Sequence, residues 1–418
     1  MTHDTHVFTH SGRRAGFAAT ALALAIGMMG TTIPTPLYAL YSRQFGFSEL
    51  MITVIFAIYA AGVVLSLLVF GHLSDEVGRR PMLLSALALS AVGAGCLVAA
   101  DGLSLLLIGR LVFGLSAGVF TGTATATLVD LAAPGRRAGA TLVATVANMG
   151  GLGFGPLLAG VLAQWGGSPL RMVFWIYLAL VVPAAIGVWA MPEPIRTRRR
   201  PVLRPRALRI PSELRPLFVD AGIAAFAGYA VIGLFTAVAP AFLGQDLGVA
   251  SPAAVGLVVF LVFAASTVGQ TMVGMVGQDR ALPAGCVGLI AAMGLLVLSL
   301  GLASLAFLIL AALVSGLGHG LSFRAGLAGL NDRAPAGLRA QVASSYFVVA
   351  YVGVSAPVVG EGVLTQLVGL RTAGFAFAAV VAVVAAAGLA LLARTHRGVD
   401  ARGGTMSHYS LDTKGTPA

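Results

Sequence analysis

Charge is what this chain has least of. Its 418 residues include 26 basic and 15 acidic ones, only 10% in all, while 58% are apolar before its 54 glycines are counted. A soluble domain carries roughly 25% charged residues. No soluble fold has interior enough to hide so much apolar surface, so lipid is the solvent. That excludes a cytosolic enzyme, a secreted disulfide scaffold and a disordered chain. Cysteine is nearly absent: Cys96 and Cys286 sit inside apolar runs and suggest neither a disulfide framework nor a zinc site. Lysine occurs once, at Lys414, and the seven histidines have no metal spacing. There is no Walker loop, catalytic triad or dinucleotide fingerprint, so neither an enzyme nor a cofactor is expected.

What is present is a series of long apolar runs. A membrane crossing takes about 20 mostly apolar residues. The runs predict an all-α integral membrane protein with helices over 16–40, 50–72, 81–100, 103–128, 138–163, 172–191, 217–243, 252–276, 283–301, 305–329, 340–366 and 372–393. The first follows Arg13-Arg14 but is too long for a signal peptide and is expected to be retained. Arginine placement sets the orientation. With the N-terminus inside, inner segments hold 21 of the 26 basic residues, and outer loops hold only Arg43, Arg171 and Arg371. A multi-pass protein of the plasma membrane (a bacterium's inner membrane), with both termini cytoplasmic, is expected. Its basic charge then serves topology and anionic lipid rather than nucleic acid.

Segment 193–216 holds eight arginines and the prolines Pro194, Pro201, Pro205, Pro211 and Pro216, a composition that favours an extended linker. The chain therefore divides into a tail 1–15, a six-helix half 16–192, the linker 193–216, a second half 217–393 and a tail 394–418. The halves repeat each other. At a shift of 202 residues, Leu111–Asp130 lies over Leu313–Asp332 with eight identities in 20, where roughly two would arise by chance from such a composition. The same shift lays Gly160–Gln164 over Gly362–Gln366. Six intervening helices return the chain to the same side, so the repeats are parallel, an architecture of secondary transporters with a site between the halves.

Between the second and third helices stands G-H-L-S-D-E-V-G-R-R-P, from Gly71 to Pro81. It resembles the loop signature of the major facilitator superfamily through Gly71, Asp75, Gly78, Arg79 and Arg80. The resemblance covers about residues 16–393 and implies a gate. In it Arg79 bridges Asp75 and Asp130, and Asp75 accepts from the start of the eleventh helix near Ala340 and Gln341. The second copy of the loop, around Asp279-Arg280, lacks the Gly-Arg-Arg part. Pro192-Glu193-Pro194 resembles a segment that follows the sixth helix of sugar porters and of many exporters.

Helix four carries Arg110, Gly114 and Gly118, similar to the family's R-x-x-x-G pattern associated with proton transfer, with Phe113 in place of glutamine. An arginine inside a span costs about 2.5–3.5 kcal/mol to insert, and its repeat partner is Ala312, so the fold alone does not require it. Helix five reads G-L-G-F-G-P-L-L-A-G over Gly151–Gly160. Through Gly151, Gly155, Pro156 and Gly160 it resembles the family's antiporter signature, which implies efflux. Glu361, aligned with Ala159, is a carboxylate inside a span, a site that suits a proton carrier. Its alternative is a structural glutamate near the outer surface.

Tyr38, Asn148, Tyr229, Phe235, Phe263, Gln270, His319, Arg324, Tyr346 and Tyr351 are the expected cavity residues. Together these readings describe a monomeric proton-coupled antiporter that exports small amphipathic or drug-like molecules, driven by the proton gradient with no cofactor and no metal. The alternatives are a symporter or facilitator taking up a sugar or other small metabolite, and a membrane sensor or scaffold that transports nothing.

Overall fold

The computed structural model describes the backbone of residues 10–71, 73–133, 135–195, 209–335 and 337–408. Hydrocarbon offers backbone N–H and C=O groups no partner, so each crossing must bond to itself as a helix. Among the described residues twelve helices are long and apolar enough to cross. They are α1 (Gly12–Phe45), α2 (Glu49–Phe70), α3 (Arg79–Val98), α4 (Leu103–Leu131), α5 (Arg137–Trp165) and α6 (Met172–Ala190). The second set is α7 (Ser212–Asp246), α8 (Pro252–Val276), α9 (Gln278–Leu302), α10 (Leu305–Arg333), α11 (Arg339–Val368) and α12 (Leu370–Arg394). Helical backbone starts at His10 and runs on from α12 to His408, so both expected tails are partly helical. Of the linker, residues 196–208 lie outside the described residues, as do 1–9 and 409–418.

Two helices are broken where the sequence predicts plain ones. In α1 the helix stops at Thr32, makes a 3-10 turn over Thr35–Leu37 and resumes at Tyr38. Pro34 and Pro36 each lack the N–H that a continuous helix would use. In α7 the helix gives way at Leu234–Val238 and again at Phe242–Asp246 to π-helical turns on either side of Ala239–Ala241, with Pro240 at the centre. The two broken helices are each the first of their half.

Packing repeats from half to half. The fourth helix of each half touches the first, second and third; the fifth and sixth lie against the first, and the sixth also against the third. The repeated glycines explain why. A Cβ at Gly114 would come within 2.2 Å of the Tyr59 carbonyl oxygen, and one at Gly316 within 2.3 Å of the Val262 carbonyl oxygen. The pair Gly118 and Gly320 does the same against Ser66 and Ser266. Lipid gives helices no hydrophobic reason to associate, so close backbone approach at small residues supplies the contact. The halves then meet along two seams, α5 against α8 and α2 against α11. Trp165, Trp175, Trp189 and Val383 are 60–71% exposed, on faces left for lipid.

Candidate functional site

Between the halves lies a cavity of about 1000 Å³. It is lined by the first, second, fourth and fifth helix of each half: α1, α2, α4 and α5, with α7, α8, α10 and α11. Its ceiling is formed by Thr31, Phe56, Tyr59, Tyr229 and Val354. It opens where the exposed Asp130, Arg137, Asp332 and Arg339 stand at the ends of α4, α5, α10 and α11. This is the end to which the arginine count assigns the cytoplasm.

The other end is tied shut, and the ties follow the internal repeat. Gln164, at the end of α5, accepts from Ser251 Oγ at 2.5 Å and from the Ala253 N–H at 3.2 Å, at the start of α8. Its repeat counterpart Gln366, at the end of α11, donates to Ser48 Oγ at 3.1 Å, just ahead of α2. Gln245 at the end of α7 donates to Glu49 Oε1 at 2.9 Å. Each tie joins one half to the other. The matching Gly-Val-Leu-x-Gln segments were visible in the sequence; that their glutamines close one end of the molecule was not.

The loop after α2 forms a charged cluster. The Arg79 guanidinium meets Asp75 Oδ1 at 2.8 Å and Asp130 Oδ2 at 3.0 Å, and donates to Ser74 Oγ at 2.7 Å. Sequence reasoning missed its third carboxylate. Glu193 accepts from the N–H groups of Arg79 and Arg80, both at 2.9 Å, and so caps the start of α3. Gly78 makes that possible: its φ is +117°, and a Cβ there would sit 2.9 Å from Glu193 Oε2. The Arg80 guanidinium rests 5.6 Å from the centre of the Trp189 ring. Asp75 is not seated on the start of α11 as expected; its side chain is 67% exposed and its ion-pair partner is Arg79. The reason is the cavity mouth, which separates the halves at this end. Gly71 still lies close to α11, with Ser344 Oγ 3.9 Å from where its Cβ would be.

Arg110 is buried, donates to the Thr31 carbonyl oxygen, and stacks on Tyr59 with 4.6 Å between guanidinium carbon and ring centre. It does not line the cavity; Thr31 and Tyr59 stand between. Glu361 does not line it either. It is 3% exposed in the outer part of α11, its carboxylate has no hydrogen-bond partner among the described residues, and it is adjacent to Gly362, whose Cβ would strike Thr53 of α2. The glycines of α5 divide their work: Gly151 and Gly155 press on α1 at Ala25 and Met29, and Gly160 presses on Pro252 of α8. In return Gly256 of α8 presses on the Pro156 carbonyl oxygen.

Of the expected cavity residues, Asn148, Tyr229, Phe263, Gln270, His319, Arg324 and Tyr351 line the cavity. Three do not, and each is a correction. Tyr38 is buried in the core of the first half, beyond the break in α1. Phe235 sits in the core of the second half, on the first π turn. Tyr346 donates to the Phe323 carbonyl oxygen at 3.2 Å and stacks behind that ring. An amphipathic pattern does not separate these faces, because the polar residues of α7 and α11, such as Asp220, Thr236, Ser345 and Ser355, do not gather into one stripe that marks the cavity. Sequence reasoning also missed Tyr59, Phe323 and Thr145, which carry no motif but line the cavity.

Over 238 residues the chain is 27% identical to multidrug resistance protein D of Escherichia coli strain K12, covering 55% of this chain and 58% of that one. Over 181 residues it is 29% identical to the human proton myo-inositol cotransporter, covering 42% of this chain and 27% of that one. The chain thus matches under two thirds of the length of either relative. A solved bacterial homologue of the human lysosomal transporter Spinster, inward-facing and unoccupied, has the same fold. The TM-score is 0.74 at 16% identity, over 93% of this chain and 98% of that one. The model of the Major Facilitator Superfamily matches residues 20–358, and this chain belongs to that superfamily.

Proposed function

We propose that this protein is a proton-coupled antiporter that exports small amphipathic molecules by alternating access. The observation that carries the reading is the asymmetry of the cavity, open at the arginine-rich end and closed at the other by ties between the halves. With the arginine-rich end in the cytoplasm, this is a state that loads cargo from inside. Export rather than uptake is supported by the helix-five pattern around Pro156 and by the similarity to a multidrug resistance protein. Apolar and aromatic side chains such as Phe56, Met149, Phe263 and Phe323 share the lining with many threonines and other polar residues, a mixed surface that suits an amphipathic cargo. No cofactor or metal has a role; the energy is the proton gradient, worth about 2.3 kcal/mol per charge per 100 mV.

Coupling is assigned to Glu361 and Arg110. Glu361 stands inside the closed outer end rather than in the cavity. A proton taken up or released there would bias the seam between α2 and α11 directly, since an ionised carboxylate in that dry contact is costly. Arg110 touches α1 and α2 at the ceiling and would sense the same movement.

The test is proton movement in inside-out vesicles energised by respiration. Added cargo should trigger proton release into the medium with wild type and not with Asp75→Asn. Glu361→Gln should still bind cargo but move it without proton exchange; undiminished coupled transport would remove Glu361 from the mechanism. The second reading, uptake of a small metabolite, is favoured by the similarity to the proton myo-inositol cotransporter. Proton entry triggered by a sugar in right-side-out vesicles would select it.

A further inference from the structure

The charge inside the cavity is one-sided. Resting on the transport reading above, we infer that the cargo is an amphipathic anion, an aromatic or apolar body carrying one carboxylate. Arg324 projects from α10 about 13 Å above that helix's inner end, at 1.5 Å per residue. Its hydrogen-bond partner among the described residues is a neutral one, Thr145 Oγ1 of α5, at 3.3 Å. A guanidinium at that depth is costly without a counter-charge, and neither ion pair among the described residues includes it. Two carboxylates line the cavity, Asp130 and Asp332. Both stand at the mouth, and Asp130 is held from behind by Arg79. Nothing anionic lines the cavity between Arg324 and the ceiling.

Five residues further along α10, about 7.5 Å deeper, His319 is 2% exposed and lines the cavity. Its Nδ1 is 2.9 Å from Ser266 Oγ, and its Nε2 has no hydrogen-bond partner among the described residues. With the serine hydroxyl donating to Nδ1, Nε2 carries the hydrogen and is left as a buried donor without a partner beside the cavity. Around this pair is an aromatic wall. The Tyr229 ring is 4.9 Å from His319 and 5.9 Å from Tyr351, and Phe323 stacks on His319 at 5.6 Å with an interplanar angle of 8°. A planar body can lie on these rings while its carboxylate meets the Arg324 fork, which suits that geometry. The duplicated scaffold does not call for either residue: the repeat counterparts of His319 and Arg324 are Ala117 and Gly122. They are additions to one half, in the cavity, of one sign. A cationic cargo would meet Arg324 with no acid to offset it, so the same groups exclude as well as attract.

The test is equilibrium binding to the purified full chain in lipid nanodiscs, with no gradient present. Three probes share one ring system: naphthoate, naphthamide and naphthylmethylammonium. Wild type should bind naphthoate about tenfold or more tighter than either other probe. Arg324→Gln should lose that preference by weakening naphthoate binding far more than naphthamide binding, and Arg324→Lys should keep part of it. Equal binding of the ammonium probe, no naphthoate binding, or a preference that survives Arg324→Gln would overturn the inference. The wild-type comparison decides it even if a variant does not fold. Failure of the export reading is separate: an anion preference without proton release removes export alone, whereas cation-triggered proton release without an anion preference removes this inference alone.

Discussion

Arg79 and Asp75 belong to one ion pair yet carry different loads. Arg79 is 9% exposed and holds Asp75, Asp130 and Ser74 together. Arg79→Met leaves a half-buried carboxylate and a buried hydroxyl without their donor, a loss of about 1–3 kcal/mol. The midpoint of thermal unfolding should fall clearly in detergent. Asp75 is 67% exposed, and an exposed pair contributes at most about 1 kcal/mol. Asp75→Asn should therefore leave that midpoint nearly unchanged; it should also slow transport if, as the resemblance of the loop implies, Asp75 meets the start of α11 when the mouth closes. An equal loss of stability in both variants would contradict this division. Asp75 could be read from the loop motif, and Asp130 from what the resemblance of that loop implies. Glu193 could not be assigned, since its contact with α3 spans more than a hundred residues and depends on where α6 ends.

At the scale of the helix, glycine spacing is the main code, and it acts through distance. Gly256 and Gly274 lie on the same helix, α8. A Cβ at Gly256 would be 2.3 Å from the Pro156 carbonyl oxygen, whereas nothing lies within 4 Å of one at Gly274. Gly256→Ala must push α8 away from α5 and should cost about 1–3 kcal/mol with reduced transport. Gly274→Ala should change neither, and a vesicle transport assay on the pair checks both. The ties at the closed end are weaker, about 1 kcal/mol for each hydrogen bond. Gln164→Ala or Gln366→Ala should each shift the population roughly fivefold toward opening at that end. Labelling of a Thr53→Cys reporter by a membrane-impermeant maleimide, with Cys96 and Cys286 replaced, would read the shift. Unchanged labelling in both variants would mean that the glutamines do not hold that end.

For the whole molecule the open question is which way the cavity faces. Ala133 lies in the exposed turn at the cavity mouth and Ser168 in the exposed turn at the opposite end. In a cysteine-free background, Ala133→Cys should react with impermeant reagent only from the cytoplasm and Ser168→Cys only from outside. The reverse pattern would invert the topology and turn the loading state into an unloading one. In the transport cycle proposed above, this structure is the state open at the arginine-rich end. Its α5–α8 seam is held by close approach of Gly160 and Gly256 to the backbone of the opposite helix, whereas in the α2–α11 seam Gly362 meets the Thr53 side chain.

The sequence by itself determined the lipid solvent, the number of crossings, the internal repeat and the membership of the loop motif. Each of those is written locally, as composition over about 20 residues or as spacing within a short segment. Tertiary structure alone decided the rest. It turned Tyr38, Phe235 and Tyr346 into packing and brought Tyr59, Phe323 and Thr145 to the cavity. It set Glu361 against α2 at the closed end, and it broke α1 and α7. In a helix that is apolar all round, sequence carries no marker of which face meets lipid and which meets a neighbour. That choice is made only when twelve helices pack, so the membrane protein is legible in its letters while the cavity is legible only in its contacts.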